Sequence, residues 1–157
     1  MNAEQTLAAV RRSVTVAAPI EKAFAVFTES FGTWWPADYH INPSGYETAF
    51  LEPRVGGRWF ERASDGSECD WGRVLTWDPP RRIRLAWQLN GDYVFEPDNA
   101  SEVEITFTEE EDGRTRVDLV HSKFEGLTNS EGVAASIGGD GGWSAILTRY
   151  AAAVVAA

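Results

Sequence analysis

The sequence predicts an α+β fold: a curved antiparallel sheet of about seven strands around a long C-terminal helix, with two short helices after the first strand. Three observations predict it. From 46 to 124 the chain alternates apolar and polar residues in short runs, separated by turns rich in glycine, proline and aspartate, which is the pattern of a meander. Near the N-terminus, Ile20, Ala23, Phe24, Phe27 and Phe31 fall at helical spacing. At the far end, Trp143, Ile146, Leu147, Tyr150 and Val154 fall at i, i+3, i+4, i+7 and i+11, an amphipathic helix. A long sheet cannot lie flat on one helix. Wrapping it around that helix leaves space between the two, and that space is the default ligand site.

Taken in order, "RRSVTVAA" (11–18) alternates and forms the first strand. Pro19 suits the first turn of a helix over 19–35, which Gly32 and Pro36 divide into two short ones. "YETAFLEP" (46–53) and "GGRWFERA" (56–63) are strands, and "SDGS" (64–67) is the turn to "ECDWGRVLTW" (68–77). After the turn "DPPR", "RIRLAWQL" (82–89) directs Ile83, Leu85, Trp87 and Leu89 to one face. "NGDYVFEPDN" is turn-rich, and Pro97 argues against a central strand there. "SEVEITFT" (101–108) and "TRVDLVHSKF" (115–124) form a hairpin. "GGDGG" (138–142) gives a flexible entry to the last helix, expected over about 140–156. One domain is expected over 1–157, with its core at 10–156.

Composition narrows the functions. The net charge of −10 argues against nucleic acid or an anionic membrane as partner. There is no run of about 18 apolar residues, and "MNAEQTLAAVRRS" lacks the pattern of a secretory signal, so a cytoplasmic location is expected. Cys69, the single cysteine, reads as a small half-buried strand residue. No cofactor and no metal are expected. "GGRWFE" opens a strand without a G-K-[ST], and no His, Cys or carboxylate pair has metal-ligand spacing. "GGDGG" precedes a helix, but Asp140 would repel an anion.

The run 68–77 raises a sharper question. Read with period two, Cys69, Trp71, Arg73, Leu75 and Trp77 share one face, with an arginine in its middle. A two-residue turn at Asp65-Gly66 would set Arg58 against Arg73, and like charges directly opposite are unfavourable. A loop one residue longer, with a bulge, pairs Trp59 with Arg73 and Glu61 with Trp71. This is the preferred register, since it lays an arginine over a tryptophan with a carboxylate diagonally near.

The stretch "APIEKAFAVFT", the block "GGRWFER…DGSECDWGRVLTWDPPRRIRLAWQ" and the late "GGWSAILTRYAA" resemble the SRPBCC superfamily. Within it they resemble the homologues of Aha-type activators of the heat-shock-protein-90 ATPase, over roughly residues 10 to 155. The run 72–87 and the Gly142-Trp143 helix start are the most specific parts. The resemblance implies the helix-grip fold and no universal catalytic residues.

The expected ligand-binding residues are Trp59, Glu61, Trp71, Arg73 and His121 on one concave surface, with Trp143 beneath it. Trp35 and His40 belong to a Trp34–His40 segment closing its mouth. Seven tryptophans in 157 residues are hard to close-pack around one helix, so aromatic-lined space is expected. Three readings follow. The first is a binding module for a small apolar or aromatic molecule whose acidic or carbonyl end meets Arg73. The second is a cyclase- or aromatase-like enzyme, with Glu61, Arg73, His121 and Tyr93 as its polar groups. The third is a co-chaperone-like interaction domain, although the Aha-type activators carry an additional domain that is not expected here. A second copy of the chain or another protein stays open as a partner.

Overall fold

Antiparallel pairing runs unbroken through seven strands in the order β1-β7-β6-β5-β4-β3-β2, so among the described residues β1 and β2 are the edges. The computed structural model describes residues 7–157. The expectation of no secretory leader falls in part on residues 1–6, outside those described. The strands are β1 (Val10–Val16), β2 (Thr48–Leu51), β3 (Arg58–Arg62), β4 (Glu68–Asp78), β5 (Arg82–Trp87), β6 (Ser101–Glu109) and β7 (Thr115–Ser122). The helices are α1 (Ile20–Thr28), α2 (Phe31–Trp34), α3 (Ser130–Gly138) and α4 (Trp143–Ala156). This is the expected curled α+β architecture.

Period-two alternation puts Ile83, Leu85, Val103, Ile105, Phe107, Val117 and Leu119 on the concave face, where all are buried. Helices α1 and α4 fill that concavity. Their contact is sealed by Tyr150, whose hydroxyl donates to the Ala23 carbonyl at 2.6 Å, and whose ring meets Phe27 at 5.1 Å. Burial raises the Tyr150 pKa, so the hydroxyl stays a donor. Tyr150→Phe should cost about 1–2 kcal/mol in urea unfolding, because a buried carbonyl loses its second partner. The convex face carries ion pairs instead: Arg82 with Glu104, and Glu102 with both Arg84 and Lys123.

The last helix runs over Trp143–Ala156, in keeping with the expected span and the Gly142-Trp143 start, and residues 139–142 form a turn before it, closed by the Gly142 N–H on the Gly139 carbonyl at 3.0 Å. Two expectations need correction. Gly32 does not break a helix. The break comes at Glu29-Ser30, and Gly32 lies inside α2, where a Cβ would stand 2.1 Å from the Thr48 hydroxyl; the glycine allows α2 to press onto β2. Helix α3 was not expected. It is nine residues long, contains Gly132, and buries only Val133 and Ile137, so it has little helical signature.

The β3–β4 register also differs from both that the turn suggests. The hairpin loop is Ser64-Asp65-Gly66, closed by the Ala63 N–H on the Ser67 carbonyl at 2.9 Å, with Gly66 at φ 89°. From it Arg62 pairs with Glu68, Glu61 with Cys69, and Phe60 with Asp70. A bulge at Trp71 then shifts the count, so Trp59 pairs with Gly72 and Arg58 with Arg73. A second irregularity at Leu75 separates the pairs Val74–Leu85 and Thr76–Arg84. Each bulge flips the phase of alternation. Cys69, Trp71, Gly72, Val74 and Trp77 therefore face the concave side, whereas Arg73 and Leu75 are exposed. Arg58 and Arg73 tolerate being opposite because Arg58 turns away. Its guanidinium reaches Asp70 at 2.7 Å and Glu68 at 3.1 Å, and lies 4.0 Å over the Phe60 ring. Gly72 is required at the bulge: a Cβ there would come within 1.8 Å of the Ala86 carbonyl oxygen.

Candidate functional site

Between the sheet, α3 and the start of α4 lies a cavity of about 420 Å³. Its walls are buried apolar side chains: Trp35, Trp71, Trp87, Leu89, Val133, Ile137 and Ile146. Its exposed polar lining groups define a mouth: Asp38, Tyr39, His40, Tyr93 and Ser136. Among the described residues, Asn90 is the one buried polar side chain in the lining, and no lysine or arginine lines it. A second depression of about 440 Å³, between α1 and Pro79-Pro80, is an open groove flanked by Glu21 and Glu29.

Two tyrosines tie α3 and the turn after it to the loops across the mouth. Tyr39 donates to the Gly141 carbonyl at 2.8 Å. The Tyr93 hydroxyl pairs with the Ser136 hydroxyl at 2.6 Å, and Tyr93 holds a left-handed backbone with φ 60°. The loop bearing Tyr93 is built by Asn90, whose side-chain oxygen accepts from the Asp92 and Val94 N–H groups at 2.8 and 3.0 Å. Trp35 fixes the opposite loop by donating its indole N–H to the Tyr39 carbonyl at 2.8 Å.

Of the eight expected site residues, Trp35, His40 and Trp71 line this cavity. Glu61 is fully buried behind it. One carboxylate oxygen accepts from the Ile41 N–H and the Trp71 indole N–H, each at 2.7 Å, and the other from the Asn42 N–H at 3.3 Å. The same carboxylate therefore orients Trp71 and anchors the 40–42 loop. His40 stands on that loop, with its Nδ1 3.1 Å from the Asn42 carbonyl and 3.9 Å from Glu61. Its ring stacks at 6.1 Å on Tyr46, whose hydroxyl is pushed up to about 12 by burial and by the Glu61 carboxylate.

Trp59, His121 and Trp143 form a layer beneath the lining. Trp59 meets Trp71 at 5.9 Å and Trp87 at 5.6 Å. His121 accepts the Trp143 indole N–H on Nδ1 at 3.0 Å, so its Nε2 carries the proton and donates to the Ser101 hydroxyl at 2.7 Å. Burial pulls its pKa down to about 3, so it is a neutral structural imidazole with both nitrogens occupied.

Arg73 is the correction. The bulge at Trp71 turns it to the convex side, where it is exposed and cannot meet a ligand in the cavity. Arg73→Leu should change stability by less than about 0.5 kcal/mol in urea titrations and leave ligand binding untouched. The residues that sequence reasoning missed are those of α3. Trp87 and Leu89 did carry a signal, as inward residues of a predicted strand.

A curled antiparallel sheet gripping a C-terminal helix, with an aromatic cavity between them, defines the helix-grip class of the SRPBCC superfamily. The chain belongs to the family of activator of Hsp90 ATPase homolog 1-like proteins, whose model matches residues 17–154. It is similar to an anthrahydroquino-gamma-pyrone synthase solved as a complex, at 37% identity and a TM-score of 0.65, covering 94% of this chain and 97% of that one. It is also similar to CalC, a self-sacrificing resistance protein from Micromonospora echinospora, at 32% identity and a TM-score of 0.67, covering 93% of each chain. A protein from Nitrosomonas europaea shares the fold at 15% identity and a TM-score of 0.65, covering 94% of each chain. No curated protein sequence matches the chain. Among the described residues, no helix is long and apolar enough to cross a membrane.

Proposed function

We propose that the chain binds a small, flat, largely apolar aromatic molecule in the cavity beneath α3. The observation that carries this reading is the cavity itself: three tryptophans and aliphatic walls, with the polar groups gathered at the mouth apart from the buried Asn90. About 420 Å³ lies within the range of ligand pockets, roughly 300–1,000 Å³. The name of the 37%-identical synthase describes work on a fused aromatic ring system, which supports the same class of ligand. The family name points to a chaperone ATPase, but the cavity favours the small-molecule reading. The loss of Arg73 from the site changes the expected polar end. With Asp38 at the mouth and no cation in the lining, the ligand carries neutral or hydrogen-donating groups there rather than a carboxylate.

The experiment uses 1,2-dihydroxyanthraquinone as probe. It should quench tryptophan fluorescence saturably and raise the melting temperature, with a stabilisation of about 2.7 kcal/mol at a hundredfold excess over Kd. Val133→Phe, which places a ring in the cavity, should lose both effects. A wild type that shows neither quenching nor a rise refutes the reading.

A further inference from the structure

We propose that His40 is the proton acceptor of this cavity, set to take the proton of a phenolic or enolic hydroxyl on the bound molecule. The proposal rests on the ligand-binding reading above and adds chemistry to it. A carbonyl oxygen can only accept, so the contact of His40 Nδ1 with the Asn42 carbonyl at 3.1 Å places the ring proton on Nδ1. The lone pair then sits on Nε2, which has no hydrogen-bond partner among the described residues, on a ring that lines the cavity. The ring, the carbonyl and the carboxylate behind them form one unit, because Glu61 accepts from the backbone N–H groups of Ile41 and Asn42, the two that immediately precede that carbonyl in the chain. Glu61 Oε2 lies 3.9 Å from Nδ1 and faces the charge that appears when Nε2 is protonated.

The alternatives within reach are weaker. His121 is buried, with both nitrogens engaged. Asp38 also lines the mouth, but it is an exposed carboxylate that no hydrogen bond fixes among the described residues, and a carboxylate is intrinsically a weaker base than an imidazole, whereas the His40 ring is held by the Asn42 carbonyl with one nitrogen left free to accept. In the step, the ligand O–H bond breaks and its electron pair stays on oxygen. An N–H bond forms at His40 Nε2, and the products are a phenolate or enolate beside an imidazolium. Nothing is oxidised or reduced. Glu61 is a positioning residue: it never touches the ligand and acts through the ring and its loop.

The test again uses 1,2-dihydroxyanthraquinone, whose colour changes on ionisation. Quenching of tryptophan reports binding, and visible absorbance of the bound fraction reports ionisation. Bound to the wild type, the probe should show a phenolate-to-phenol ratio at least about tenfold above its value in buffer at the same pH. In His40→Gln, the same comparison on the bound fraction should lose that gain, and in Glu61→Gln it should shrink. A bound probe that ionises as it does in buffer overturns the proposal and leaves the binding reading standing. A probe that does not quench removes both. Diethyl pyrocarbonate gives an independent readout on the unliganded protein, which has two histidines. One modification, at His40, is expected, with His121 protected; no reaction at His40 overturns the proposal.

Discussion

Trp143→Ala should lower the unfolding free energy by about 3–5 kcal/mol, measured by urea titration at neutral pH. Trp143 is 1% exposed at the first position of α4. Its ring meets Trp35 at 6.0 Å, Trp87 at 5.9 Å and His121 at 6.2 Å, so truncation removes one wall of an aromatic cluster. It also leaves His121 Nδ1 without its donor in a dry interior, worth about 1–3 kcal/mol by itself. Trp143→Phe separates the two effects, since it keeps most of the ring and loses only the hydrogen bond; its cost should be about half. A loss below about 1 kcal/mol for the alanine variant would show that the neighbouring cavity relaxes into the space and that α4 is not held by this residue.

Stability should also fall as pH is lowered through the range just below 6.5, and His121 is the reason. Its folded pKa of about 3 lies far under the ordinary value of 6.5. Below 6.5 the unfolded chain binds a proton at this position that the folded chain refuses. The unfolded state then holds more protons, so folding weakens about tenfold per pH unit until the folded ring itself titrates. By pH 5 the loss should be about 2 kcal/mol. The carboxylates held low by ion pairing, such as Glu68 beside Arg58 and Arg62, lose their contribution at lower pH, so the upper part of the window belongs to the histidine. Urea titrations at pH 7 and pH 5 on the wild type and on His121→Gln check this. The variant should be less stable at pH 7 and show a flatter dependence; an unchanged dependence would contradict the account.

The strand meander and the gripping helix were legible because their apolar residues follow simple periods, two along Val103, Ile105 and Phe107, and three to four along Trp143, Ile146, Leu147 and Tyr150. The register of β4 was not legible, because a bulge adds one residue without changing the composition of either strand. Nothing in "DWGRVLT" says that Trp71 and Leu75 are the extra residues. That one ambiguity moved Arg73 from the proposed heart of the site to the opposite face. The like-charge rule does not decide the register here, since Asp70 and Glu68, which relieve Arg58, stand on the same convex side. Glu61 was singled out as an ion-pair partner for the arginine, whereas the carboxylate receives three N–H groups and organises a loop. Helix α3, which closes the cavity, owes its existence to that closure: Val133 and Ile137 are buried in the core cluster, while its own sequence is glycine-, serine- and alanine-rich.

The most direct test of the central claim, that the cavity beneath α3 takes a flat aromatic molecule, is an NMR titration that follows the seven tryptophan indole N–H signals as 1,2-dihydroxyanthraquinone is added. The account predicts that Trp35, Trp71 and Trp87, whose rings line the cavity, shift most and saturate together, while Trp77, which lines the open groove by Pro79-Pro80, does not move. Saturating shifts at Trp77 with Trp35, Trp71 and Trp87 unchanged would contradict it.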